Sequence, residues 1–106
     1  MKKKMKVVCL KTDGGIHSFE MDHTNVNLFF NNEKYGICGA INDQFIIGLG
    51  LIGRDKEENI FSVKYPNFFD NTHGDILLVG SDSSGEACDV NMETICKLFS
   101  ENNKDL

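Results

Sequence analysis

The chain has no tryptophan, a single proline (Pro66) and neither a C-x-x-C nor an H-x₃-H pair. It also has no apolar run near the roughly 20 residues that a membrane-crossing helix needs. The missing ligand pairs remove the spacing that places two residues on one zinc ion, so no metal site and no cofactor is expected. The missing run excludes a membrane span. The opening MKKKMKVVCLK carries the positive charge of a signal peptide, but its apolar stretch covers only Val7 to Leu10, shorter than the roughly 7 to 15 residues of a signal core. Export is not expected, and a reducing cytosol is. The four cysteines, Cys9, Cys38, Cys88 and Cys96, are far apart and read as free thiols that pack as small hydrophobes.

Basic residues are scarce as well. Eleven face 16 acids, and four of the eleven are Lys2, Lys3, Lys4 and Lys6, so the body is more acidic than the net charge of −5 states. Such a body repels phosphate backbones, and direct nucleic-acid binding is not expected.

What is present suits one small globular domain of 106 residues, 41% hydrophobic and 25% charged, with residues 1–4 and 101–106 expected to fray. Met5 to Lys11 is β-rich and leads through Thr12-Asp13-Gly14-Gly15 into the alternating Ile16 to Met21, an opening hairpin. Asp22 or Thr24 caps a short helix with Val26, Phe29 and Phe30 on one face, ended by Asn31 and Asn32. Tyr35 to Ile41 and Gln44 to Ile52 form a second hairpin around Asn42-Asp43. Ile60 to Tyr65 reads as an alternating strand closed by Pro66, Asn67 to Gly74 as a loop, and Asp75 to Val79 as a central strand. After the polar turn Gly80 to Gly85, Met92, Ile95, Cys96 and Phe99 fall at helical spacing behind the candidate caps Asp89 and Asn91.

Three motifs invite chemistry. Gly48, Gly50 and Gly53 spell G-x-G-x-x-G, with Asp70 near the offset of a ribose-binding acid. No helix is expected at Gly53 to hold a pyrophosphate on its amides, so the glycines read as bulges or sites of close strand approach. His17, His23 and His73 sit near acids or small polar residues, and His73 between Asp70 and Asp75 could be a carboxylate-oriented base. No nucleophile pairs with it, and Ser81, Ser83 and Ser84 lack a nucleophile-elbow pattern, so no catalytic residue is assigned. The GSDSSG turn could offer amides to an anion, but Asp82 and Glu86 oppose that. Tyr65, Phe68 and Phe69, with Asp70, Asp82 and Glu86, form the candidate interface; the aromatics serve either as a satellite core or as an exposed anchor.

In order, KVVCLKTDGGIHSFEMD, YGICGAIND, GDILLVGSDSSGE and ETICKLF resemble a family of small uncharacterised proteins, a domain of unknown function, from phages, plasmids and conjugative elements of Gram-positive bacteria. The likeness covers most of the chain, with IGRDKEENIFSVKYPNFF matched only loosely, and no family site residue transfers.

The expectation is an α+β fold: a twisted, mostly antiparallel sheet of about five or six strands, with the C-terminal amphipathic helix and the short N-terminal-half helix packed on one face. The expected function is a non-catalytic phage or mobile-element accessory protein in the host bacterial cytosol, binding and inhibiting a host defence or nucleic-acid-handling protein. The alternative is a small-ligand or nucleotide-sequestering protein, oligomeric, with the glycine-spaced strands and the GSDSSG turn lining its pocket. No membrane partner is expected, and a homo-oligomer stays open.

Overall fold

The computed structural model describes residues 4–41 and 45–102. Six antiparallel strands run as β1 (Lys4–Leu10), β2 (Ile16–Asp22), β3 (Tyr35–Ile41), β4 (Ile46–Leu51), β5 (Ile76–Ser81) and β6 (Ala87–Cys88), with helices α1 (Val26–Phe29), α2 (Ile60–Lys64) and α3 (Met92–Asn102). The spatial order is β2-β1-β5-β4-β3, and β6 pairs with the end of β5. The α+β class and the mostly antiparallel sheet are therefore as expected.

β5 sits in the middle and reads as an unbroken apolar run: Ile76, Leu77 and Leu78 are all at 0% exposure. A strand buried on both faces needs apolar residues at every position. Its even positions join Val8, Leu10, Phe61, Ile95 and Phe99 in one cluster, while Leu77 joins Met5, Val7, Val26 and Phe30 in another. Alternate residues of a strand point to opposite faces, so α3 covers one face and α1 the other. The expectation of both helices on one face is corrected here. Without α1, the side carrying Val7 and Leu77 would lie open to water.

The first hairpin closes as its glycines required. Lys11 N donates to Gly15 O (2.8 Å), Gly14 N to Lys11 O (3.0 Å), and Gly14 takes φ +101°, the left-handed geometry of a three-residue loop with a bulge. Asp22 caps the turn before α1 by accepting from Thr24 N (3.0 Å), and Asn31 and Asn32, at φ 55° and 62°, end it. The turn expected at Asn42-Asp43 lies outside the described residues; Ile41 pairs with Ile46 across it.

Ile60 to Tyr65 is the clearest departure, since Ile60–Lys64 is helix. The reason is Asn59, which is fully buried. Its Oδ1 accepts from Phe61 N (2.9 Å), as an N-cap does, and its Nδ2 donates to Leu10 O (2.9 Å) and Gly74 O (3.0 Å). Phe61 and Tyr65 then fall one helical turn apart and both reach Phe99, with ring centroids 5.4 and 4.4 Å away. Lys4 opens β1, and Glu101 and Asn102 close α3; residues 1–3 and 103–106 lie outside the description. One further expectation shifts. On α3, Ile95 and Phe99 are buried, whereas Met92 and Cys96 of the expected stripe are exposed. α3 accordingly docks on a narrower face than its apolar spacing implied.

All four cysteines are free; Cys9 and Cys38 are buried, Cys88 is half-buried and Cys96 is exposed. Burial pushes the Cys9 thiol up to about 11, with the Asp75 carboxylate adding to the effect, and burial also raises Cys38. Thiolate is the reactive form. Alkylation of the native protein at pH 8 is therefore expected to modify Cys96 within minutes and to spare Cys9 and Cys38 until denaturant is added, as read by mass spectrometry of the digest. Native labelling of Cys9 at the rate of Cys96 would contradict this packing.

Candidate functional site

The sequence-derived interface does not hold together as one surface. Tyr65 and Phe69 are buried at 7% and 2% exposure, and Phe68 is half-buried beneath the same ring cluster. The aromatics are core, and an anchor reading of Tyr65 and Phe69 is corrected: neither can reach a partner without opening the fold. Their burial follows from Gly39, Gly48 and Gly50. A Cβ at Gly39 would lie 1.9 Å from Phe68 O, one at Gly48 3.0 Å from the Phe69 ring, and one at Gly50 2.7 Å from Thr72 Cγ2. Without side chains, these positions form a lane across β3 and β4 in which the segment Phe68 to Thr72 lies. There Ala40 N donates to Phe68 O (3.1 Å) and Asp70 N to Cys38 O (2.7 Å). Gly48 and Gly50 of the G-x-G-x-x-G spacing thus mark close approach of the chain to itself, Gly53 does not, and the lane is filled by Phe69 and Thr72.

Asp70 stays exposed on that segment beside β3, away from Asp82 and Glu86 at the β5-β6 turn. Asp82 Oδ1 accepts from Ser84 N (2.9 Å), Ser84 Oγ (2.7 Å) and Glu86 N (3.0 Å). The Ser84 hydroxyl, followed by the Glu86 amide, holds the Asp82 carboxyl below its usual value. The turn's amides are thereby taken by its own carboxylate, and an incoming anion would have to displace it.

His73 is oriented by a cation and a carbonyl, not by carboxylates. Its Nε2 lies 3.2 Å from Arg54 Nη1, and its Nδ1 lies 2.9 Å from Lys56 O. Arg54 also donates to Asn71 Oδ1 (2.7 Å), and Asn71 Nδ2 in turn donates to Glu58. This network ties the stretch after β4 to the one before β5. Among the described residues, no three His, Cys, Asp or Glu side chains converge to hold a metal ion. A cleft of about 360 Å³ opens beside α1, walled by Phe29 and Phe30. Its two lysines are each answered by the chain's own acids, Lys11 by Asp75 (3.0 Å) and Lys56 by Glu33 (3.6 Å).

The two sheet edges differ. β3 is covered at Cys38 to Ala40 by the Phe68 to Asp70 segment, whereas among the described residues no strand pairs the outer side of β2. β2 pairs with β1 over seven positions, Lys4↔Asp22 to Leu10↔Ile16, with no register shift. Because Lys11 and Gly15 form a hydrogen-bonded pair, alternation makes His17, Phe19 and Met21 the residues that bond to β1. The amides and carbonyls of Ser18 and Glu20 consequently point outward.

Both flanks of this edge are shaped. On the α1 side Phe19, 37% exposed, stacks on Phe29 at 6.0 Å, and Leu28 beside it is 57% exposed. On the α3 side a groove of about 650 Å³ runs between Ser18 of β2 and Met92, Glu93 and Cys96 of α3, with Lys6 and Asp89 also in its lining. Lys6 N donates to Asp89 Oδ1 (2.8 Å) and Val90 N to Lys6 O (2.9 Å), which fixes the start of α3 against β1 and shapes the groove. An edge with outward donors and acceptors, an apolar ridge on one face and a groove on the other can take an extended chain as a further strand. Sequence reading placed β2 correctly but missed its open side. The only signal was the absence of proline and of a bulge from Ile16 to Asp22, since which edge is free depends on strand order.

No family model, curated protein or solved structure matches the chain.

Proposed function

We propose that the protein is a non-catalytic accessory protein of a phage or other mobile element, acting in the host bacterial cytosol by binding and inhibiting a host protein. The observation that carries this reading is the outer edge of β2. The outward amides and carbonyls of Ser18 and Glu20 can pair with an extended segment of the partner, while the Phe19 and Phe29 rings and the groove beside α3 receive its alternating side chains. The acidic body favours a basic partner such as a nucleic-acid-handling enzyme, through steering of the encounter more than through affinity.

Ser18→Pro isolates this surface. Proline fits a strand position whose amide faces away from its neighbour, so the fold is retained while the outward donor is lost. The tagged wild-type protein is expected to capture a host protein whose activity falls as more of the wild type is added. Ser18→Pro, melting within a few degrees of the parent, is expected to capture at least tenfold less. Equal capture and inhibition by Ser18→Pro would remove β2 from the mechanism.

A further inference from the structure

We propose that, when no host segment is bound, a second copy of the chain closes the β2 edge, antiparallel and two-fold symmetric about Phe19. This goes beyond host binding but uses the same edge, so the second copy and the host segment exclude one another.

An unguarded edge strand is a template for pairing, and proteins usually blunt such edges with lysine, proline, a bulge or a covering segment. This chain covers β3 with Phe68 to Asp70, whereas β2, IHSFEMD, carries no lysine, proline or bulge, has Glu20 and Asp22 as its charges, and among the described residues is covered by no segment. A second copy fits because the edge reads the same from both ends. The outward groups belong to Ser18 and Glu20, which flank Phe19 symmetrically. An antiparallel copy therefore sets Ser18 of each chain against Glu20 of the other as hydrogen-bonded pairs, with the Ser18 hydroxyl able to donate to the Glu20 carboxylate. Phe19 meets Phe19 at the axis, at a close non-hydrogen-bonded pair.

The neighbouring registers are worse. Moving the axis to residue 20 puts two glutamates directly opposite each other, which is destabilising. Moving it to residue 18 separates the two phenylalanines. In the register about Phe19, each Glu20 lies across its own hairpin from Lys6, which offsets the diagonal approach of the two carboxylates. The apolar ridge of exposed Phe19 and Leu28 and half-buried Phe29 then continues from one copy into the next across the axis. A single strand pair is a small interface, and each copy carries a net charge of −5. Association is thus expected in the range of tens of micromolar and is expected to tighten with salt.

Sedimentation and cysteine cross-linking test this, with Cys96→Ser as the background so that the exposed native thiol cannot link. The wild type is expected to shift from monomer to dimer mass with concentration, and Ser18→Pro to stay monomeric. The axis would place Phe19 α-carbons about 4.5 Å apart, within disulfide reach. Phe19→Cys treated with oxidised glutathione should give a covalent dimer, whereas Ser18→Cys or Glu20→Cys alone should not and the two mixed should. Monomer mass up to about 1 mM, where even a millimolar affinity would give substantial dimer, overturns the proposal. Homodimers linked at position 18 or 20 instead of 19 overturn the register. A monomeric wild type whose host capture is still lost in Ser18→Pro removes the second copy and leaves host binding. A dimer whose Ser18→Pro variant captures the host protein normally does the reverse.

Discussion

Replacing Gly39 with alanine is expected to leave little folded protein at 37 °C. The added carbon would lie 1.9 Å from Phe68 O and 2.8 Å from the Phe69 ring. The first of these is backbone and cannot rotate away. To make room, the Phe68 to Asp70 segment must lift off β3, releasing the Ala40 to Phe68 and Asp70 to Cys38 hydrogen bonds and withdrawing Phe69 from the core. Two hydrogen bonds and a displaced buried ring amount to about 4 kcal/mol or more, against a total stability of roughly 5 to 15 kcal/mol for a small domain. Gly53→Ala is the informative control. Its added carbon meets only Asp55 Oδ1, at 3.5 Å, and its melting point should stay within a few degrees of the parent. A thermal melt of both variants checks the pair: if Gly39→Ala melts like Gly53→Ala, the glycine lane is not what seats the aromatic segment.

Phe99→Ala is expected to cost about 3 to 5 kcal/mol, the range for truncating a buried phenylalanine, and to lower the melting temperature by on the order of 20 °C. Phe99 is 4% exposed, and its ring lies 4.4 Å from Tyr65, 5.4 Å from Phe61, 6.2 Å from Phe68 and 6.4 Å from Phe69, centroid to centroid. Removing it leaves four rings around a void that none can fill without leaving its own contacts. Met92→Ala and Cys96→Ala, on the same helix but exposed, are expected to shift the melt by a few degrees at most. A Phe99→Ala variant that melts with the parent would mean that α3 is not the cover of that sheet face.

The elements read from sequence were those whose pattern and punctuation agreed. The first hairpin carried alternation and a glycine turn, β5 an unbroken apolar run, and α3 its Ile95 and Phe99 behind Asn91, whose Oδ1 accepts from Glu93 N at 2.8 Å. α2 was missed because Phe61, Val63 and Tyr65 satisfy a strand's alternation, while Phe61 and Tyr65 alone satisfy a helix's four-residue step. What decides is the buried Asn59, and its partners at Leu10 and Gly74 are distant in sequence. The two-residue β6 was too short to leave a pattern, and it exists because β1 pairs β5 only from Val8 to Leu10, opposite Leu78 to Ile76, which leaves Gly80 and Ser81 to pair elsewhere. The aromatic segment was legible only as a choice between core and surface. Its resolution needed the knowledge that three glycines stand side by side on neighbouring strands. The open side of β2 likewise follows from β1 having given its other edge to β5.

The place of β5 also sets an order of events during synthesis. The first two hairpins, Lys4 to Asp22 and Tyr35 to Leu51, leave the ribosome as separate local units, and among the described residues no strand pairing joins them directly. They are joined through β5 (Ile76–Ser81), which pairs β1 on one side and β4 on the other and follows both hairpins in the chain. Until then each hairpin is covered only in part, the first by α1 and the second by the Phe68 to Thr72 segment, and the long-range pairings that close the sheet must pay their loop entropy late. The nascent chain is therefore exposed to chaperones and to misassociation until Ser81 emerges, and the decisive folding step is the insertion of one strand between two waiting halves.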